Sequence, residues 1–418
     1  MSPSEHNATV TVRRKAAGVL RSVGPALVVA AVVLGPGSIL TASRAGCAFG
    51  YDVLWVVFAA AAVMAAMTAV AAHVGCRLSG SPCDELAVRL GRPVAVVVGA
   101  TLFLVVAGFQ ASNNLAVLAG LEAMWPSGGG GWARGGVVLL NAGVLVVLWR
   151  GRDLYRPIET LMKLLVAVMV AAFAVNLAFA RPSPVGMLSG LLPRWPRGGS
   201  LLPLAGLVAT TFSIAAAFYQ AYLVREKGWS AADTRRGLVD SLVGVAALAV
   251  GTAMVLATSA AVLHGRVEPS QLTSVGDVAG QLRPTFGAAA TGLFSAGILA
   301  GAVSSFLGNA VIGGTLLADG LGRPSGLNDR PQKWATTAAL LIGATLGLLI
   351  AGGSVDRVQV IVLAQAATVL GGPVLAGGLL YLAWQCRPRP SWWALGPAFV
   401  GAAVVAGLTA RTLAGLLD

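Results

Sequence analysis

The chain has few charged residues, and acidic residues are the scarcest. Only 11% of its 418 residues are charged, and 16 Asp and Glu stand against 29 Lys and Arg. A soluble domain averages about 25% charged residues. The composition therefore excludes an ordinary water-soluble fold, and a site that needs several carboxylates has few residues to draw on.

Cysteine and histidine are also scarce. The four cysteines (Cys47, Cys76, Cys83 and Cys386) show no CxxC spacing, so neither a disulfide framework nor a zinc site is predicted. The three histidines lie far apart in the chain, and no P-loop, HExxH or nucleophile-elbow motif appears in a fitting context. We predict a protein that is not an enzyme and that carries no cofactor.

Apolar sequence is abundant, at 56% of all residues. Runs long enough to cross roughly 30 Å of hydrocarbon recur along the whole chain. We predict eleven spans, at about 22–47, 53–75, 93–120, 136–150, 157–180, 200–224, 238–263, 286–318, 335–352, 357–384 and 392–416. The fold class is an all-α polytopic membrane protein, folded as one transmembrane domain over residues 1–418.

The net charge of +13 is distributed between the spans and not along one face, which argues against a nucleic-acid partner. Alternate loops differ about twofold in Arg and Lys content, and the richer set includes the one before span 1. The positive-inside rule then makes the tail 1–21 cytoplasmic. We expect a multi-pass protein of the plasma membrane whose partners are the lipid bilayer and a small solute. The oligomeric state stays open.

Span 1 contains Gly35-Pro36-Gly37, which interrupts a membrane helix. Such breaks are tolerated where the freed backbone lines a cavity, and inverted-repeat transporters place two of them at the midplane. The matching position in span 6 has polar residues but no proline or glycine. A broken span 6 and a continuous one therefore both stay open, as does a simple proline kink in span 1.

Four motifs resemble the NRAMP family of divalent metal ion transporters, which has the LeuT-type inverted-repeat fold. They are "GPGSILTASRAGCAFGYDVLWV" in span 1, "RLSGSPCDELAVRLGR" after span 2, "LFSAGILAGAVSSFLGNAVIGGTLLADGL" in span 8 and "LAQAATVLGGPVLAGGLL" in span 10. The resemblance implies that 22–224 holds the first repeat plus span 6, 238–384 the rest of the second repeat, and 392–416 an extra span.

The family's metal ligands are largely replaced in this chain. The Asp and Asn of the family's Asp-Pro-Gly-Asn motif correspond to Gly35 and Ser38, and its Met-Pro-His-Asn motif corresponds to Ser213, Ile214, Ala215 and Ala216. A later histidine becomes Gln220, and only Gln365 persists. The candidate substrate contacts are Gly35, Ser38, Ser213, Ala215, Ala216, Gln220 and Gln365. The metal ligands themselves stay unknown, and smaller residues at these positions predict a wider cavity.

Four further residues are candidates for the transport pathway: Arg44, Asn113, Asn114 and Tyr219. The span 3 amides could equally serve as interhelical hydrogen bonds. Arg44 either faces the outer vestibule, reaches the outer interface, or pairs with Asp52 or Asp356. The acidic residues fall near predicted span ends, so we expect no carboxylate at depth.

The sequence leaves three functional interpretations open. The first is transport of a divalent cation that keeps its hydration, such as Mg²⁺, because the ligands for a bare transition metal are gone. The second is transport of a small polar organic solute such as an amino acid. The third is a membrane sensor that transports nothing.

Overall fold

A computed structural model describes residues 24–125, 129–151, 155–194, 202–272, 274–279, 287, 290–353 and 357–417. Its described elements are all helical. In chain order the α-helices are α1 (Pro25–Val33), α2 (Pro36–Phe49), α3 (Leu54–Gly75), α4 (Pro82–Leu90), α5 (Arg92–Met124), α6 (Gly129–Arg150), α7 (Tyr155–Ala180), α8 (Pro184–Ser189), α9 (Leu202–Thr211), α10 (Ile214–Glu226), α11 (Thr234–Val262), α12 (Val275–Ala279), α13 (Ala290–Gly320), α14 (Arg330–Ala351), α15 (Arg357–Ala367), α16 (Gly372–Gln385) and α17 (Trp392–Leu417).

Within the described residues, eight helical stretches are long and apolar enough to cross a membrane when α9 is counted together with α10 and α15 together with α16. The number is nine if α1 and α2 form one broken span. These nine match nine of the predicted spans. The predicted fifth and eighth spans correspond to α7 and α13, of 26 and 31 residues. The first predicted span begins at residue 22, which lies outside the described residues, and the fourth starts earlier than predicted because its helix already includes Gly129.

Span 1 is broken at the predicted place. Helix α1 ends at Val33, Gly35 is extended (φ −90°, ψ −176°), and α2 starts at Pro36 with a bend of 60° between the halves. Proline suits this position because the first turn of a helix needs no backbone donor there. The two halves thus end and begin inside the bundle and not at its surface.

Span 6 is also interrupted, although no proline or glycine marks the place. Helix α9 ends at Thr211 and α10 starts at Ile214, with Ser213 in an extended conformation (φ −87°, ψ 97°) between them. The Ser213 side chain caps α10 by accepting a hydrogen bond from the backbone N–H of Ala216 at 3.4 Å. The bend at this break is smaller than in span 1. A continuous span 6 is thereby excluded.

The broken spans form the centre of the bundle. In α2 nearly every residue is buried, and the most apolar stretch of span 6 is 89% buried. The corresponding stretch of α17 is only 22% buried, so the last span lies at the periphery. Helices α7, α10, α11 and α13 pack around α1, and helices α9, α11 and α15 pack around α2.

Candidate functional site

The carbonyls released at the break in span 1 are taken up by serine hydroxyls. The Ser305 hydroxyl of α13 donates to the carbonyl oxygen of Val32 at 3.0 Å, and the Ser38 hydroxyl donates to the carbonyl oxygen of Val33. Gly35 lies so close to α13 that a Cβ there would stand 2.2 Å from Ser305 Oγ. Ser305 therefore occupies the space that a side chain at position 35 would need.

Gln365 reaches the same break from α15. Its amide fills the space beside Gly37, where a Cβ would be 2.0 Å from Nε2, and Nε2 donates to the Ser112 hydroxyl of α5 at 3.3 Å. The sequence identified Gln365 through the family motif. It did not identify Gly37 or Ser112 as its neighbours, since only the folded bundle brings spans 1, 3 and 10 together.

The break in span 6 borders a small cavity of about 20 Å³. Ser213 and Ala215 line it, together with apolar side chains of α5, α16 and α17. Gly35 and Gln365 are not among its described lining residues. This volume holds about one water molecule. The wider cavity stays a prediction; beside Gly35 and Gly37, the side chains of Ser305 and Gln365 fill the space.

The two breaks lie at similar depth. A Cβ on Gly206 of α9 would be 2.9 Å from Thr41 Cγ2 of α2, so these residues face each other. Thr41 lies about one and a half turns after the break in span 1, and Gly206 lies about one and a half turns before the break in span 6. The two residues are therefore on the same side of the breaks. The hydroxyls of Thr41 and Thr211 are buried and have no hydrogen-bond partner among the described residues. Both threonines belong to the helix halves on that side of the breaks.

The polar stretch of span 3 serves mainly to join helices. Gln110 Nε2 donates to the carbonyl oxygen of Phe306 at 2.6 Å, and Asn141 of α6 donates to Asn114 Oδ1 at 2.7 Å. Asn113 donates to Gln110 Oε1 at 3.3 Å. Asn114 fits the interhelical alternative given by the sequence, whereas the hydrogen bond of Asn113 stays within α5.

Gln220 lies away from the break, in contact with a buried carboxylate. Its Nε2 donates to Asp240 Oδ2 of α11 at 2.9 Å, and Asp240 is completely buried. A second buried carboxylate, Asp319, accepts hydrogen bonds from the hydroxyls of Tyr222 and Ser81. Both carboxylates lie near the ends of their helices, as the sequence placed them, so the expectation of no carboxylate at mid-span is not contradicted. What the sequence did not show is that they are buried. Tertiary packing buries residues that the sequence places near span ends.

Arg44 and Tyr219 are both buried. Arg44 is 7% exposed, and its Nη2 donates to the carbonyl oxygen of Leu272, in the segment after α11, at 2.8 Å. Asp52, one of its two expected partners, is exposed, and Asp356, the other, lies outside the described residues. The Tyr219 ring stacks on Tyr222, with 5.9 Å between the ring centroids.

No group of three or more His, Cys, Asp or Glu that could hold a metal occurs in the described part of the chain. Burial raises the pKa of the Cys83 thiol, which lies in the short helix α4, and the nearby Asp319 carboxylate raises it further. A protonated thiol is a poor metal ligand, so Cys83 is not expected to bind a metal. The described groups around the breaks are neutral carbonyls, hydroxyls and amides.

Comparisons with known proteins identify the family. A profile described as natural resistance-associated macrophage protein-like matches residues 26–415. The chain is 27% identical over 403 residues to the divalent metal cation transporter MntH of Acidiphilium cryptum, covering 93% of this chain and 85% of the relative. It is 25% identical over 386 residues to MntH of Verminephrobacter eiseniae, covering 88% and 82%.

Solved structures agree on the fold. A mutant of the Eremococcus coleocola manganese transporter has a TM-score of 0.76 at 18% identity, over 93% of this chain and 85% of that one. MhsT in complex with L-phenylalanine has a TM-score of 0.55 at 16% identity, over 92% and 97%. At these identities the likeness concerns the fold alone. Given the match over nearly its whole length, the chain belongs to the natural resistance-associated macrophage protein-like (Nramp) family and is an integral membrane transporter with the helical architecture of that family.

Proposed function

We propose that the chain transports a divalent cation across the plasma membrane, that the ion passes between the two span breaks, and that it keeps part of its hydration shell there. Mg²⁺ is the first ion to test. The observation that carries the proposal is the donor set around the breaks: the hydroxyls of Ser38, Ser305 and Ser213 and the amide of Gln365, with no carboxylate of the described residues hydrogen-bonded to them.

Such a donor set suits a hydrated ion better than a bare one. Mg²⁺ gives up its water reluctantly, and its bound waters donate hydrogen bonds to neutral oxygens. Dehydrated Mn²⁺ or Fe²⁺ needs anionic or soft ligands to offset the loss of hydration. Those ligands are absent at positions 35 and 213–216.

The cavity beside the break in span 6, of about 20 Å³, is too small for a hydrated ion. Loading therefore requires the helix halves around the breaks to separate, as in transporters that alternate access around a fixed site. Thr41 and Thr211, whose hydroxyls are buried without a partner among the described residues, would then gain one in the ion's water.

Purified protein in liposomes tests this proposal. Uptake of Mg²⁺ is followed with a trapped indicator, for the parent chain and for Gln365→Ala. The variant is expected to raise KM severalfold because it removes an amide beside Gly37. Gln385→Ala, at the exposed end of α16, is the matched control and should leave uptake unchanged. Parent liposomes that take up no Mg²⁺ would contradict the proposal.

A small polar organic solute is the second candidate. The unpartnered threonine hydroxyls and the Gln365 amide can bind a carboxylate or an amino group as readily as a hydrated ion. The same liposomes, supplied with a pool of radiolabelled amino acids in place of Mg²⁺, distinguish the two. Saturable amino-acid uptake without Mg²⁺ uptake would replace the cation proposal.

A further inference from the structure

The first half of span 1 is capped by a residue from another helix. The first N–H groups of a helix have no partner within it, and a side-chain oxygen at the N-cap normally accepts one of them. The N-cap of α1 is Gly24, which has no side chain. Asp240 of α11 takes this role instead: Oδ1 accepts from the N–H of Gly24 at 2.6 Å and Oδ2 from the N–H of Ala26 at 2.8 Å.

The geometry favours an ionised Asp240. All three hydrogen bonds to its carboxylate are donated to it, two by α1 and one by Gln220 Nε2. The positive end of the α1 dipole adds to the attraction. Close packing also holds the start of α1 against α11, since a Cβ on Gly244, one turn further along α11, would be 2.5 Å from the backbone of Ala26.

The Gln220 amide provides a partner for the neutral form as well. Its Oε1 is buried and accepts no hydrogen bond among the described residues, although a buried acceptor without a donor is costly. If Asp240 takes up a proton, a half-turn of the amide brings Oε1 to the place of Nε2. The new carboxylic O–H then donates to Oε1, while the carboxyl group loses the charge that held the α1 N–H groups.

We propose that Asp240 is a positioning residue that, while ionised, holds the N-terminal half of span 1 against α11 as a latch. When Asp240 takes up one proton, it donates a hydrogen bond to Gln220 in place of accepting one, and α1 is free to move. The proton comes from the aqueous phase and is held on the carboxyl oxygen. The inference rests on the proposed function only in that a transporter must open; the latch itself can be measured without any substrate.

Other charged groups near this end of α11 bear on the pH at which the latch opens. Lys227, after α10, is a cation that interacts electrostatically with Asp240. Arg77, which follows α3, donates to the Thr234 hydroxyl at the start of α11 and also contacts His73. The described part of α1 carries no titratable side chain. The remaining charged groups near this end of α11 are Glu226, Asp233, Arg235 and Arg236 and, on α7, Arg156, Glu159 and Lys163, whose side chains lie outside the described residues.

Hydrogen–deuterium exchange of the full chain in nanodiscs tests the latch. Asp240→Asn keeps the shape of the side chain and removes its charge. It is expected to speed the exchange of residues 24–34 about tenfold, the size expected from losing charge-assisted hydrogen bonds. Asp319→Asn is the matched control: it neutralises another buried carboxylate, and it should loosen residues 81–90 and leave 24–34 unchanged.

The pH dependence provides a second measurement that does not depend on the folding of a charge variant. In the parent chain, exchange of 24–34, corrected for the intrinsic effect of pH, should rise relative to 81–90 as the pH falls. Gln220→Met removes the donor to the ionised carboxylate together with the alternative acceptor, so the pH at which the rise begins should differ from that of the parent. Equal exchange of 24–34 in Asp240→Asn and the parent, or a parent profile without pH dependence, would overturn the latch. A failure of Mg²⁺ uptake would affect only the proposed function.

Discussion

At the scale of single residues, Gly35 and Ser305 share one space beside the break in span 1. A Cβ at position 35 would clash with Ser305 Oγ, and the same hydroxyl satisfies the freed carbonyl of Val32. Glycine at 35 and serine at 305 are thus coupled. Replacing one without the other creates either a steric conflict or an unsatisfied carbonyl.

Gly35→Ala tests this coupling. We expect it to destabilise the protein by roughly 1–3 kcal/mol, because overpacking a tight site has that cost. Gly297→Ala in α13 is the matched control, since a Cβ there meets open space, and alanine in a helix should be neutral or stabilising. Melting temperatures in detergent measure both. Ser305→Ala removes the obstructing hydroxyl, so Gly35→Ala should cost less in a Ser305→Ala background than in the parent chain. An equal cost in both backgrounds would show that Ser305 is not the obstacle.

Some residues of the site follow from the sequence and others do not. Gln365 could be found because its motif persists, and Ser213 could be found by its place in the span 6 alignment. The burial of Asp240 could not be found, because its partners at Gly24 and Ala26 lie more than 200 positions away in the chain. Ser112 and Ser305 were visible as polar residues, but their contacts depend on how the spans pack.

At the scale of secondary-structure elements, the two breaks are built by different means. Proline and glycine interrupt span 1, and this local chemistry made the break predictable. In span 6 the interruption is formed by Phe212 and Ser213, with serine acting as the cap of a new helix. Serine occurs both in helices and at caps, so the sequence alone left this break open.

Ser213→Ala should weaken the start of α10. We expect a loss of about 1 kcal/mol or less, because the cap hydrogen bond is long and such caps are worth about that much. Amide exchange of residues 214–218 should rise accordingly. Ser183→Ala removes a comparable cap from α8 and should affect only residues 184–189. Unchanged exchange at 214–218 would mean that tertiary packing alone holds the start of α10.

At the scale of the whole molecule, the number and order of spans were predictable because each span is a long apolar run. The orientation is predicted from a different signal, the uneven distribution of Arg and Lys among the loops. Neither the apolar runs nor this charge distribution predicts the size of the cavity. Replacing large residues by small ones predicts a wider cavity; beside Gly35 and Gly37, side chains from spans 8 and 10 fill the space.

The orientation can be tested with two variants that each carry one added cysteine. Arg323 and Arg266 are both exposed and lie in loops on opposite sides of α13. We expect Arg323→Cys to face the cytoplasm and Arg266→Cys to face the outside, as the positive-inside rule predicts. A membrane-impermeant thiol reagent added to whole cells should label Arg266→Cys alone. Because the four native cysteines are buried, the parent chain serves as the background. Labelling of Arg323→Cys alone would show that the orientation is the opposite of the predicted one.

The central claim is that the chain keeps the architecture of its family but has lost the site for a bare transition metal. Calorimetric titration of the purified protein with Mn²⁺, followed by Mg²⁺, tests this most directly. The account predicts no saturable heat with micromolar Mn²⁺ and a weaker, saturable signal with Mg²⁺. Saturable micromolar binding of Mn²⁺ would contradict it, because Gln365 and the backbone carbonyls at the breaks would then suffice to hold the metal.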